Sequence, residues 1–238
     1  MTIKDMHYDF KKKFNKLDSQ QNRNFLIPEI DWTLNEAAEI FCKLIISPRQ
    51  HSHLGFEVNQ RTIDDIRTLV VRPESDPSAF ITVSDNIVVL PSNYWSYRKS
   101  EIVLEKQNCT NVVARGYVQQ HDDEFEEDTF TKSSFEWRHI NLVFFDGGIR
   151  LFDDGTFTNK VFKLTYIKKL QYMHNAEDFR SGTYTLPSGQ VLTGKVECEL
   201  PSHTHREIVD LAVLIASGEI NTPDYQLKMQ KLNLNKLL

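Results

Sequence analysis

The chain is poor in the residues that define several protein classes. Three cysteines, Cys42, Cys109 and Cys198, stand far apart among 238 residues. Their odd number, and the lack of any CxxC or close Cys/His spacing, argue against a disulfide framework or a cysteine zinc module. Three reduced, mostly buried thiols are expected. Nine glycines and eight prolines are too few for a linker-rich or fibrous chain. No run of about 18 apolar residues occurs, so no transmembrane helix is expected. Met1 to Lys13 is charged and lacks the apolar stretch of a secretion signal, so the sequence reads as a protein kept in the cytosol where it is made.

Catalytic and nucleotide-binding motifs are missing too. There is no GxGxxG or GxxxxGK[ST] phosphate loop, no HExxH and no GxSxG. No cofactor is implied, and the expectation is a protein that is not an enzyme. The formal net charge of −5 argues against a grip on a nucleic-acid backbone. The one lysine cluster, Lys11 to Lys13, reads as a solvated helix face.

What remains is an ordinary globular composition, 40% hydrophobic and 26% charged. Ile3, Met6, Phe10, Phe14 and Leu17 form one helical stripe, started by a Thr2–Asp5 capping box. A second helix begins near Pro28, with a stripe of Ile30, Leu34, Ala37, Phe41, Leu44 and Ile45 and a possible cap at Thr33 and Glu36. Pro48 ends it. The two helices can pair as a hairpin.

From Thr68 the pattern becomes β-rich. Leu69–Val71, Phe80–Val83, Ile87–Leu90, Glu101–Glu105, Val112–His121, His139–Phe145, Ile149–Phe152 and Val161–Ile167 are candidate strands. Asp146-Gly147-Gly148 and Asp153-Asp154-Gly155 mark turns. The pattern reads as an antiparallel meander, because no helix-length stretch separates the strands. Thr183–Leu186 and Val191–Glu199 form a smaller hairpin. A third helix starts at a Thr204–Glu207 capping box, buries Ile208, Leu211, Ala212 and Ile215, and stops near Gly218. The expected class is α+β: an N-terminal helical hairpin (1–67), a central antiparallel β meander (68–200), and a C-terminal helix with an extended arm (201–238), acting as one cooperative unit.

Three clusters invite a functional reading. The histidine pairs His51/His53 and His203/His205 have strand-like spacing for a metal, but the second pair sits at a helix start, where a spacing of two does not converge. No metal is expected. The acidic run Asp122, Asp123, Glu124, Glu126, Glu127 and Asp128 lacks the DxDxDG spacing of a calcium loop. It reads as a solvated hairpin tip, and in a ring that passes DNA it would face the lumen and repel phosphates. Tyr94, Trp95 and Tyr97 suit sheet core plus an interface anchor, with Tyr94 and Trp95 as interface candidates, better than a base-stacking platform. The last stretch, with Tyr225, Leu227, Met229, Leu232, Leu234, Leu237 and Leu238 spaced by polar residues, fits neither period. It reads as an arm that docks on a neighbouring subunit, or as a segment returning to its own core.

Several stretches, in order along the chain, resemble structural proteins of crAss-like and related gut-bacteroidete tailed phages. They are Glu29-Ile30-Asp31-Trp32 with Leu34-Asn35-Glu36-Ala37 and Phe41; Gly55-Phe56-Glu57; Arg61 to Ile66; Leu90-Pro91 with Tyr94-Trp95; Ser134 to Arg138; Leu164 to Lys168; and Leu200-Pro201 with His205 to Ala212. Lys169 departs from the pattern, where relatives are expected to carry proline. Leu34 to Ala37 is also similar to the first helix of tail-tube adaptors. The resemblance implies a virion protein of the neck or tail, made in the host cytoplasm. It implies self-association in a twelvefold ring, contact with portal or other neck and tail proteins, DNA as passing cargo only, and no membrane. A ring requires two different faces of one subunit to meet. An internal cargo or capsid-associated protein is the alternative within the same phage group; it would lack a fixed symmetric interface. A monomeric ligand-binding α+β domain built on Tyr94–Tyr97 is the alternative of another class, and would show an enclosed pocket.

Overall fold

A computed structural model describes residues 1–15, 25–46, 64–107, 109–119 and 132–219. It is mixed α+β. The chain divides into two compact units, Met1–Thr68 with Leu170–Leu238, and Leu69–Lys169. The second is therefore inserted in sequence between two halves of the first. Residues 170–200 cluster with the helices.

The helical unit contains α1 (Ile3–Asn15), α2 (Ile27–Ile46) and α3 (His205–Glu219). The Thr2–Asp5 capping box forms as expected: Thr2 N donates to Asp5 Oδ2 at 2.9 Å and Asp5 N to Thr2 Oγ1 at 3.3 Å. The second expected cap is displaced. Thr33 lies inside α2 and its hydroxyl donates back to the carbonyls of Glu29 and Ile30. Instead, Leu26 N donates to Glu29 Oε2 at 2.8 Å at the true start. Ile3, Met6, Phe10 and Phe14 of the α1 stripe are buried, while Leu17 lies outside the described residues. On α2, Leu44 is exposed, and Ala38 and Cys42 take buried places beside Ile30, Leu34 and Ala37. At 100° per residue, Ala38 and Cys42 follow Leu34 at intervals of four on the same inner stripe, whereas Leu44 lies off that row. Gly218 falls within α3 rather than after it.

The helix α3 packs against both α2 and α1, which touch each other only slightly. Its buried positions, Ile208, Val209, Ala212, Val213, Leu214 and Ala216, form a band wide enough for two neighbours. Lys13 of α1 bridges Asp9 at 2.7 Å and Asp210 of α3 at 2.9 Å. Phe25 packs edge-on against Phe10 and Phe14. Two small ladders complete the unit: β9 (His174–Asn175) with β12 (Lys195–Val196), and β10 (Thr183–Thr185) with β11 (Val191–Thr193). The expected strand Val191–Glu199 is broken at Gly194, whose φ of 72° turns the chain.

The inserted unit is an eight-stranded sheet. Its strands are β1 (Val70–Val71), β2 (Phe80–Thr82), β3 (Ile87–Val88), β4 (Tyr94–Lys106), β5 (Cys109–Val118), β6 (His139–Phe145), β7 (Gly148–Leu151) and β8 (Thr158–Lys168). The order β1-β8-β4-β5-β6-β7-β3 is not a meander, and β5 and β6 run parallel. Two physical reasons account for this correction. The long strands β4 and β8 match in length and pair over nearly all of it, whereas β7 has four residues. Residues between Val118 and His139 also give enough chain to return and start a parallel neighbour. The β6–β7 hairpin at Asp146-Gly147 forms as expected.

The sheet curls until it meets itself. The path ends on β3, which joins β2 through a Ser84–Ile87 bridge, and β2 pairs with β8. Asp85 and Asn86 in that turn both have positive φ, the type I′ geometry suited to a two-residue hairpin. Inside lie Ile102, Leu104, Ala114, Ile140, Leu142, Ile149, Phe162, Leu164 and Tyr166. Each large side chain so enclosed contributes about 1.5–3 kcal/mol relative to exposure.

Candidate functional site

Among the described residues, a dense polar cluster surrounds a carboxyl group that the sequence did not single out. Asp31 on α2 is 0% exposed. His7 Nε2 of α1 lies 2.7 Å from Asp31 Oδ1, and the Tyr184 hydroxyl of β10 donates to Oδ2 at 2.7 Å. Asn175 N of β9 donates to both oxygens at 3.2 Å. One turn along α2, Asn35 accepts from Met173 N at 2.9 Å and donates to Met173 O at 2.7 Å. Asn175 Nδ2 donates to Asp178, which Lys4 also bonds at 3.0 Å. Three elements distant in sequence, α1, β9 and β10, thus converge on one acid of α2.

Electrostatics follow from this enclosure. Burial, then the hydrogen bond to Asp31 and its negative field, push the Tyr184 hydroxyl pKa upward. Burial and the same field push Tyr172 up to about 12. The Asn175 amide and the Lys4 ammonium hold Asp178 below its ordinary value. The cluster binds donors to a carboxyl group inside the helical unit. Its chemistry is that of a structural knot.

The sequence-named residues fall into three groups. Tyr94 and Trp95 begin β4 and are half-buried; the Tyr94 ring centroid is 5.9 Å from that of Tyr166. Tyr97 packs edge-on to Phe144 at 5.6 Å and its hydroxyl meets Ser100 Oγ at 2.9 Å. These rings are partly spent on the barrel. His203 and His205 turn to different partners: His203 Nε2 lies 2.8 Å from Asp65, while His205 sits between the carbonyls of Met1 and Leu200. Among the described residues no group of three His, Cys, Asp or Glu is placed to hold a metal, and no helix is long and apolar enough to cross a membrane. Of the cysteines, Cys42 is buried and Cys198 intermediate, but Cys109 is exposed near the start of β5, against expectation. His51, His53, the acidic residues Asp122, Asp123, Glu124, Glu126, Glu127 and Asp128, and the arm residues Tyr225, Leu227, Met229, Leu232, Leu234, Leu237 and Leu238 lie outside the described residues.

The anchor points of the acidic stretch are described. Gln119 Nε2 donates to Asn141 Oδ1 at 3.0 Å, and Asn141 N donates to Ser133 Oγ at 2.9 Å. Asn141 is 0% exposed. Gln119 and Ser133, on either side of the acidic stretch, thus both bond one buried asparagine. Beside these anchors the outer face of β5 and β6 carries Tyr117 stacked on His139, with ring centroids 4.3 Å apart.

No protein-family model matches the chain, and no curated protein matches it.

Proposed function

We propose that this chain is a structural, non-enzymatic subunit of a tailed-phage particle, one copy in a ring at the neck or tail that joins portal to tail around the DNA exit path. The observation that carries the reading is the ordered resemblance from Glu29 to Ala212. The packing is consistent with it. The polar cluster is spent on tying α1, α2, β9 and β10 together around Asp31. A subunit that works by shape needs such rigidity, and the α+β plan offers separate faces for a heterologous contact. Function is then geometric: the subunit fills a place between portal and tail, and DNA passes without being read.

Immunogold labelling of virions that carry the gene tests this directly. Gold at the neck or tail vertex is the expected outcome. Virions without label, against a labelled host lysate, would overturn the assignment.

A further inference from the structure

Among the described residues, one stretch of the barrel has a sheet neighbour on one side only. β5 pairs with β4 from Cys109 to Arg115, but its pairing with β6 begins only at Arg115. The cause is local. Arg138 adopts a φ of 53°, and Ser134 to His139 close a turn that swings the chain away just before β6. Arg115 N donates to Arg138 O at 2.9 Å. Backbone groups alternate sides along a strand, so those of Val113, two residues earlier, face the same way, toward the gap. Among the described residues no strand fills it.

Exposed apolar side chains flank the gap. Trp137, next to the carbonyl that Arg115 bonds, is 84% exposed, more than any other large hydrophobic described. Val113 is 40% and Tyr117 45% exposed on the same outward face of β5. An edge that no described strand pairs, beside an aromatic anchor, is suited to an added extended segment, in which main-chain bonds give affinity and alternate side chains give specificity.

We propose that this edge receives the C-terminal segment of a second copy of the chain. The inference rests on the ring-subunit reading and names the surface on which neighbours meet. The chain continues for 19 residues beyond Glu219, to Leu238. Extended, that length spans roughly 60 Å, enough to reach a neighbouring subunit. Although the stretch as a whole keeps no single period, Leu232 and Leu234 alternate locally with Asn233 and Asn235, as in a strand that buries one face. From Tyr225 onward the segment has three lysines and no acid. Glu136 is exposed beside Trp137, but Arg115 and Arg138 are exposed at the same edge, so length and alternation, not charge, point to the arm. Arm and edge are different parts of the chain, so a contact between the arm of one copy and the edge of the next is heterologous and can propagate around a ring.

The test uses the full chain with a photo-reactive phenylalanine analogue in place of Trp137, in a mixture of isotopically light and heavy chains. Irradiation at concentrations where the chain self-associates is followed by peptide mass spectrometry. Mixed light–heavy cross-links between position 137 and residues 225–238 are the expected result. Because Trp137 is exposed, Trp137→Ala folds normally; it and the double variant Leu232→Asp/Leu234→Asp are each expected to weaken self-association at least tenfold. Cross-links to 225–238 of the same isotope only mean that the arm returns to its own barrel and overturn the inference. So do oligomers whose cross-links fall elsewhere, although these leave the ring reading standing. Retention of DNA by position 137, without mixed cross-links, overturns it in favour of nucleic-acid contact. Loss of the virion label described above removes the ring reading itself.

Discussion

The Tyr184 hydroxyl donates to Asp31 Oδ2 at 2.7 Å across 153 residues of sequence. The bond fastens the β10–β11 hairpin to α2. Tyr184 is 7% exposed, so water cannot replace the lost partner without opening the packing. Tyr184→Phe is expected to lower the unfolding free energy by about 1–3 kcal/mol. Asp31→Ala strands several buried donors and is expected to cost more. Urea unfolding followed by circular dichroism measures both, and a Tyr184→Phe loss below about 0.5 kcal/mol would mean the bond is not structural.

Alkaline pH should attack the same knot. The pKa of the Tyr172 phenol is pushed up to about 12 and that of Tyr184 is also raised, both first by burial. The ordinary tyrosine value is about 10. A raised phenol keeps its proton in the folded chain but loses it in the unfolded one. The resulting stabilisation is complete below about pH 10 and is lost as pH rises toward 12. Stability should therefore fall steeply across that window, and Tyr172→Phe should shallow the slope. An unchanged slope in the variant, read by denaturant midpoints at successive pH values, would sink the assignment.

The helices were legible in the sequence because their signal is local. Thr2 and Asp5 are three residues apart and cap α1 as their spacing implies. The Asp146-Gly147 hairpin was legible for the same reason. Sheet order was not, because nothing near β8 says that its partner is β4 rather than β7. Length matching decides that, and length matching is a property of the whole barrel. The first half of β4 was hidden because Arg98, Lys99 and Ser100 interrupt the apolar pattern that marked its second half. Asp31 was missed because a lone acid on an amphipathic helix usually faces water. A signal was present: Asp31 shares its stripe with Leu34, three residues on, so the helix period already placed it inward. Its partners, 24 to 153 residues away, could not be read from that stripe.

Thiol chemistry should sort the cysteines by environment. Burial pushes the Cys42 pKa up to about 12 and that of Cys198 up to about 11, so neither forms much thiolate near neutral pH. Cys109 is exposed. Treatment of the folded chain with an excess of a disulfide reagent at pH 8 should modify Cys109 quickly and the other two only after denaturant is added. Cys109→Ser should then remove the fast phase. Persistence of that phase in Cys109→Ser would contradict the burial of Cys42 and the raised pKa of Cys198.

The β6–β7 hairpin depends on Gly148 more than on the other turn glycines. Its φ is 137°, and an added Cβ would lie 2.2 Å from the Val88 carbonyl oxygen on the neighbouring β3. That oxygen belongs to backbone and cannot swing aside as a side chain would. β3 also carries the path back to β2 and β8, so displacing it strains the closure of the barrel. Gly155, at a φ of 74°, has nothing within 4 Å of the same added atom. Gly148→Ala combines backbone strain with a steric clash and is expected to cost about 3 kcal/mol. Gly155→Ala involves strain alone and should cost about 1 kcal/mol. Urea midpoints of the two variants, measured side by side, check the order, and equal losses would show that β3 does not hold the closure.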